Sequence, residues 1–343
     1  MRFGLFGSAT ARHGGPDVDS GQGYRQFVEY NVEAEALGYH STFLVEHHFT
    51  GFGQVSASLA LLTWVAAKTR TLRLGTAVLV LPWHNPVLVA EQAATIDLLS
   101  GGRLDFGVGK GYRHNEFVGF CVPMEEADAR FNESIDVITK AWTRKDRHFS
   151  HHGKYWQFEN IVVEPPTAQQ PHPPIWMGAG SPPSIRNVAE RGFKLLLDQF
   201  ASFETVAERI ALFRSELEKN GRKFDPRDVA VARAFYVAKS EADKEEALER
   251  RLAAQRRLTA ISQRPDGKNT ASIMAFSDTR EASEESALYG TPDQIAAKLE
   301  KLRALGVEYL LLNGGGASRD NLRRFAREVM PAFADDEKEL VAG

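Results

Sequence analysis

From one end to the other, short apolar runs alternate with amphipathic helical stretches, and that alternation limits the folds open to this chain. Candidate strands cover residues 3–6, 42–45, 72–80, 104–108, 175–177, 194–197, 229–238 and 309–312. Candidate helices cover 24–37, 58–68, 86–99, 127–141, 182–191, 203–219, 241–258 and 292–305, with a last one over 319–332. Several of the strands are continuous Val/Ile/Leu runs, as expected of parallel strands covered by helices. Eight strand–helix repeats predict an α/β fold, a (β/α)8 TIM barrel, with a doubly wound open sheet as the alternative. The punctuation agrees. Gly38 and Gly306 each stand just past a helix, and Thr291-Pro292-Asp293 reads as an N-cap with proline in the first turn.

The 343 residues carry a formal net charge of −3, which gives no basic footprint for nucleic acid. The single cysteine, Cys121, excludes an intrachain disulfide. The opening MRFGLFGSATARHGG lacks the pattern of a signal peptide, and no apolar run reaches the roughly 18 residues a membrane span needs. A cytoplasmic protein without membrane contact is expected. One domain over 1–343 is predicted, with two interruptions. The first is an inserted hairpin within 148–174, its strands at 155–158 and 161–163 turning around Glu159-Asn160. The second is a polar, mobile loop at 262–287, a candidate lid. Helices 58–68 and 86–99 are apolar around most of their circumference, whereas an outer barrel helix needs only one apolar face. They are expected to join two copies in a homodimer, the plainer alternative being deeper burial beneath a loop.

Four segments could carry chemistry. Glu46, His47 and His48 end the second strand, where barrel enzymes place catalytic groups; imidazole can act there as a general base or hydrogen-bond donor. Alternation along a strand puts Glu46 and His48 on one side and His47 on the other. The plainer reading makes at least one of these histidines structural. The spacing is not that of a metal site, and His148, His151 and His152 lie in the solvated hairpin, so no metal is expected. Second, glycines at alternate positions around Gly109-Lys110-Gly111-Tyr112 let a flat ligand approach the backbone, with Lys110 supplying charge, or simply form a glycine-rich rim. Third, Gly180-Ser181 runs into a helix start whose free N–H groups favour an anion, with hydroxyls at Ser181 and Ser184; Ser181 also suits a plain N-cap. Fourth, small residues at Ala77 and beside Val78 suit a ring lying against the barrel mouth, or are ordinary core. Among strand-end acids only Glu46 and Asp105 stand out as a carboxylate pair.

These residues together resemble the luciferase-like flavin monooxygenases, closest to the luciferase α-subunit branch. The matching segments are FLVEHHFTGFG at 43–53, LGTAVLVLP at 74–82, LLSGGRLDFGVGKGYRHNEFVGFCV at 98–122, PPIWMGAGSPPS at 173–184, YGTPDQI at 289–295 and VMPAF at 329–333. The resemblance implies FMN bound as FMNH2 at the barrel mouth. It implies that a separate flavin reductase supplies FMNH2, and that O2 then oxygenates a small organic substrate through a C4a-(hydro)peroxyflavin. Ala77-Val78 matches the family's non-proline cis peptide beneath the ring, and His47 its catalytic histidine. Lys110 matches an arginine on the FMN phosphate; Ser181 and Ser184 match hydroxyl residues of that pocket. Gly109 stands where luciferases carry a reactive cysteine, which argues against light emission. A second phosphate arginine has no counterpart in register, Arg130 lying close by. Deazaflavin F420 oxidoreductases share the superfamily and give an alternative reading, as does a flavin-binding protein without catalysis.

Overall fold

The computed structural model describes residues 1–262, 267, 271–277, 279–314 and 318–333. Strand β1 (Arg2–Gly7), helix α1 (Gln22–Ala36) and β2 (Ser41–Leu44) form the first repeat. Helix α2 (Ser58–Lys68) leads to β3 (Arg73–Thr76), which breaks and resumes as β4 (Leu79–Val80); α3 (Pro86–Ser100) then leads to β5 (Leu104–Gly109). Helices α4 (His114–Gly119) and α5 (Ala127–Thr143) and a hairpin of β6 (Phe149–His152) and β7 (Gln157–Ile161) precede β8 (Ile175–Gly178). After α6 (Pro182–Arg191), β9 (Lys194–Leu197), α7 (Phe203–Lys219) and β10 (Val229–Val237) come α8 (Glu241–Ile261), α9 (Arg280–Glu285) and β11 (Leu288–Gly290). Next come α10 (Pro292–Ala304), β12 (Tyr309–Asn313) and α11 (Arg319–Glu328).

Parallel pairing runs β1-β2-β3-β5-β8-β9-β10-β12 and returns to β1, with Arg2 opposite Tyr309 and Val229 opposite Leu195. The eight-stranded sheet is therefore closed, and the open-sheet alternative falls. Closure leaves no sheet edge on these strands. Outside the ring, β4 continues the pairing along β5 and β11 adds to β10. Apolar side chains on the outer face of the strands pack under the helices. A smaller cluster of Phe43, Trp176, Leu196, Ala230, Ala232, Tyr309 and Leu311 fills the barrel interior, with Ala77 and Val78 packed against it.

Local sequence explains most of these bounds. Asn85 caps α3, its Oδ1 accepting from the Val87 and Leu88 amides at 3.0 and 3.3 Å, and Pro86 fits the first turn. Thr291 and Gln294 close a capping box on α10. Gly38 and Gly306 take φ of 87° and 91°, the left-handed region that glycine enters without a Cβ penalty.

Four expectations need correction. The run 72–80 is not one strand. It stops at Thr76, the Ala77–Val78 peptide bond is cis, and pairing resumes with Leu79 opposite Val108. Across the break the Thr76 hydroxyl donates to the Gly107 carbonyl at 2.6 Å and accepts from the Gly107 amide at 3.0 Å, standing in for the missing ladder bonds. The inserted hairpin exists, but its turn lies at 153–156. There the Glu133 carboxylate on α5 accepts the amides of Lys154, Tyr155 and Trp156 at 2.7–3.1 Å, whereas Glu159 and Asn160 sit within β7. The polar stretch 262–287 is not a structureless loop where it is described. Thr279 caps α9, Arg280 pairs with Glu245 and Glu249, and Arg251 donates to the Ser283 carbonyl at 3.1 Å. Residues 263–266, 268–270 and 278 of that stretch lie outside the described residues. The last helix ends at Glu328, and Pro331 belongs to a separate 3-10 turn, Met330–Ala332.

Asp105 also moves. It is the second residue of β5, at the amino end of the barrel, away from Glu46. Arg73 grips it through Nε at 2.7 Å and Nη2 at 3.0 Å, and Trp176 Nε1 donates to it at 3.1 Å. The pair closes the barrel floor, and a glycosidase-like pairing with Glu46 is excluded. Asp105→Ala leaves Arg73 half-stranded. Because Arg73 is 25% exposed and keeps the Leu104 carbonyl, the expected cost is about 2 kcal/mol, below that of breaking a fully buried pair. Urea denaturation at neutral pH reads it directly.

Candidate active site

Strand β2 ends at Leu44, and the next residues cross the carboxyl end of the barrel. Beyond the strand the three side chains still part, Glu46 and His48 bonding each other and His47 bonding Glu116. Glu46 is 2% exposed and accepts from four donors: the Val80 amide at 2.8 Å, His48 Nε2 at 2.8 Å, His84 Nε2 at 2.6 Å and Trp83 Nε1 at 3.4 Å. Burial alone would disfavour the charge on Glu46, but the bonds from His48, His84 and Val80 outweigh it and hold the carboxyl down at about 2. With both oxygens engaged, Glu46 ties the turn after β4 to the end of β2. His48 is packed edge-on against Phe120 and Trp83, with ring centroids 4.7 and 6.0 Å apart.

His47 turns the other way. Its Nδ1 lies 3.0 Å from Glu116 Oε1, and the same oxygen accepts the His48 amide at 2.9 Å. Glu116 stands on α4, itself 1% exposed, with the buried Arg113 guanidinium 3.8 Å away. Burial, helped by Arg113, pulls His47 below the usual imidazole range against the opposing pull of Glu116, so the ring is neutral near pH 7. The Tyr112 ring lies edge-on to it, 6.3 Å between centroids.

The glycine segment supplies a floor. A Cβ added at Gly109 would sit 2.5 Å from Val78 Cγ2, and one at Gly178 would sit 3.2 Å from Val78 Cγ1. Val78 therefore lies over glycines of two neighbouring strands, β5 and β8, and a side chain at either place would push it away. On the same rim Gly111 adopts φ 80°. Ser181 precedes α6 but makes no capping bond; its Oγ pairs with Ser184 Oγ at 2.9 Å, and because Pro182 and Pro183 carry no N–H, the Ser184 amide is the one first-turn donor left without a side-chain acceptor. Gly180 faces Arg209 and Ser272 at the edge of a cavity of about 230 Å³, lined also by Asp198, Phe200, Thr205 and Phe276.

Lys110 is not joined to that helix start. Its ammonium binds both oxygens of Asp128 at 2.7 and 2.9 Å in an exposed pair. Arg130 pairs with Glu126 at 2.8 Å and lies over the Tyr155 ring. Cys121 is exposed. Sequence reading missed Glu116, Arg113, His84 and Arg209. Glu116 lay inside a segment already singled out, but nothing local says that a six-residue helix will carry it back to a histidine 69 positions earlier.

A closed barrel of eight parallel strands, with two carboxylate–histidine clusters and a small-residue floor at its carboxyl end, is the framework of an enzyme of the barrel class. The chain belongs to the luciferase-like monooxygenases, whose family model matches residues 1–309. Among its relatives, the oxygenase component of a flavin-dependent trigonelline monooxygenase from Acinetobacter baylyi is 28% identical, over 98% of this chain and 96% of that protein. An FMNH(2)-dependent dimethylsulfone monooxygenase from Pseudomonas putida is 29% identical, over 91% and 90%. The crystal structure of the monooxygenase RslO1 from Streptomyces bottropensis superposes with a TM-score of 0.84 at 26% identity, covering 97% of this chain and all of that one. F420-dependent dehydrogenases also stand among the relatives. No helix among the described residues is long and apolar enough to cross a membrane.

Proposed function

We propose that this chain is the oxygenase of a two-component FMN-dependent monooxygenase, taking FMNH2 from a separate flavin reductase and using O2 to oxygenate a small organic substrate. The observation that carries the reading is the floor of Val78 over Gly109 and Gly178, flanked on one side by His47 and on the other by the uncapped start of α6. A flat ring with an anionic tail fits that set. The ring would rest on Ala77, Val78, Gly109 and Gly111 beside Tyr112. The phosphate would meet Gly180, the hydroxyls of Ser181 and Ser184 and the Ser184 amide, at a helix start whose dipole favours an anion although Pro182 and Pro183 offer no N–H. Lys110 would supply a point charge by exchanging its exposed partner Asp128, at little cost in so solvated a pair. Reduced FMN, when bound, would supply the electrons that activate O2.

The chain's own residues do the rest. His47, neutral and mostly buried, accepts or shares a proton at Nε2. Glu46 and His48 serve as positioning residues, because the Glu46 carboxylate is filled by its own donors. The two buried clusters and the aromatic group of Trp83, Phe117 and Phe120 keep water from the inner side of the mouth. Anaerobic titration with FMNH2 and with reduced F420 tests the cofactor: at least about tenfold tighter binding of FMNH2 is expected, and the reverse order would establish the deazaflavin reading. Oxygen uptake with reductase that no organic compound ever couples to product would leave only a flavin-binding protein.

The outer faces of α2 and α3 support a homodimer within this reading. Trp64, Leu88, Leu98 and Leu99 are 41–66% exposed on two adjacent helices, an apolar patch of the kind that marks an interface. Light scattering should give twice the chain mass, and Leu88→Glu together with Leu99→Glu should return it to one chain; a monomer in the unaltered protein refutes the pairing.

A further inference from the structure

We infer that Glu116 is the positioning residue that decides which nitrogen of His47 faces the reacting molecules; this rests on the role of His47 proposed above. A neutral imidazole carries one N–H, and the partner of one nitrogen fixes the state of the other. Glu116 Oε1 lies 3.0 Å from His47 Nδ1 and 2.9 Å from the His48 amide, and an amide can only donate. The oxygen therefore accepts on both sides, and Nδ1 holds the proton. Nε2 is left with its lone pair. It has no hydrogen-bond partner among the described residues and is not one of the orphan atoms sealed in the core, so it is open to a bound molecule.

The neighbouring imidazoles are set the opposite way. Glu46 Oε1 takes Nε2 of both His48 and His84, at 2.8 and 2.6 Å, which commits the Nε2–H of each. Two buried carboxylates thus sort three histidines, and His47 alone offers a free Nε2 lone pair. The groups that act on it are Glu116, Arg113, Glu46 and Tyr112. Arg113 lies 3.8 Å from Glu116 Oε1, 2% exposed, and balances its charge. His47 can then take a proton from an O–H or N–H of a bound molecule. The proton bonds to Nε2, the molecule keeps the electron pair, and the resulting imidazolium already points its Nδ1–H at a carboxylate. This makes it a proton acceptor, and Glu116 shapes the reaction without touching the substrate.

The test uses the full chain without flavin, labelled with 15N-histidine and read by long-range 1H–15N correlation at neutral pH, with His47→Gln assigning the resonance. His47 should give a protonated Nδ1 and an unprotonated Nε2. Glu116→Gln keeps an Oε1 acceptor and should keep that tautomer. Glu116→Ala removes it and should populate Nε2–H, with product formed per flavin oxidised falling about tenfold or more while FMNH2 affinity holds. A protonated Nε2 in the unaltered protein overturns the inference, as does an unchanged tautomer in Glu116→Ala. Should Glu116→Ala fail to fold, the unaltered protein and Glu116→Gln decide: loss of the Nδ1–H form in either counts against it. A tautomer as inferred combined with unchanged coupling in His47→Ala would overturn the role of His47 and Glu116's hold on it together, a failure separate from that of the geometry.

Discussion

His47→Ala should lower product formed per flavin oxidised by about 100-fold or more, the ordinary range for loss of a positioned acid–base group, while FMNH2 affinity stays within a few-fold. The flavin contacts proposed here come from Val78, Gly109, Gly111 and the start of α6, and none passes through the imidazole. Reduced flavin should still react with O2 in the variant, so the missing product should reappear as hydrogen peroxide. Reductase-coupled assays that score peroxide and product in the same vessel separate this from simple loss of binding. Equal coupling in variant and parent would remove His47 from the mechanism.

Glu46→Ala should act on stability first. The carboxyl is buried and filled by four donors, and its removal strands the buried Val80 amide and leaves two partly exposed imidazoles without their acceptor. A folded-state value of about 2 against an ordinary 4.5 corresponds to about 3 kcal/mol. The sign follows from the depressed value. The contribution is complete above about pH 4.5 and is lost as pH falls toward 2. The variant should therefore be about 3 kcal/mol less stable at pH 7, and its stability should fall less steeply than the parent's between pH 4.5 and 2. Denaturant melts across that range measure both. Parallel acid limbs in the two proteins would mean that Glu46 is not held ionised by its neighbours.

Much of the barrel was legible because its boundaries are written locally. The bounds of α2, α6 and α7 match the sequence reading to the residue, and the last two have a serine just before the first turn. Closure of the sheet followed from counting repeats. What escaped was set by distance in sequence. The interruption at Ala77–Val78 has no periodic signature, since Leu72 to Val80 reads as an unbroken apolar run; only family resemblance pointed there. The hairpin turn is fixed by Glu133, some twenty residues before it, and not by the Glu159-Asn160 pair that looked like a turn. Asp105 and Glu46 looked equivalent as acids near strand ends, yet they sit at opposite ends of the barrel. The site was half legible for the same reason. Glu46, His47 and His48 announced themselves as a cluster, but their division between two carboxylates depends on Glu116 and His84, which neither spacing nor composition links to them.

Thr76 has a consequence for how such a strand can vary. Its hydroxyl works as a splice, donating and accepting where the backbone has let go, so that β5 is never short of a partner as the neighbouring chain swings inward. Valine has nearly the same shape but can do neither. A hydroxyl at that one position thus sets whether the barrel wall can be interrupted at its active end and still remain a wall, a duty separate from any contact with the substrate.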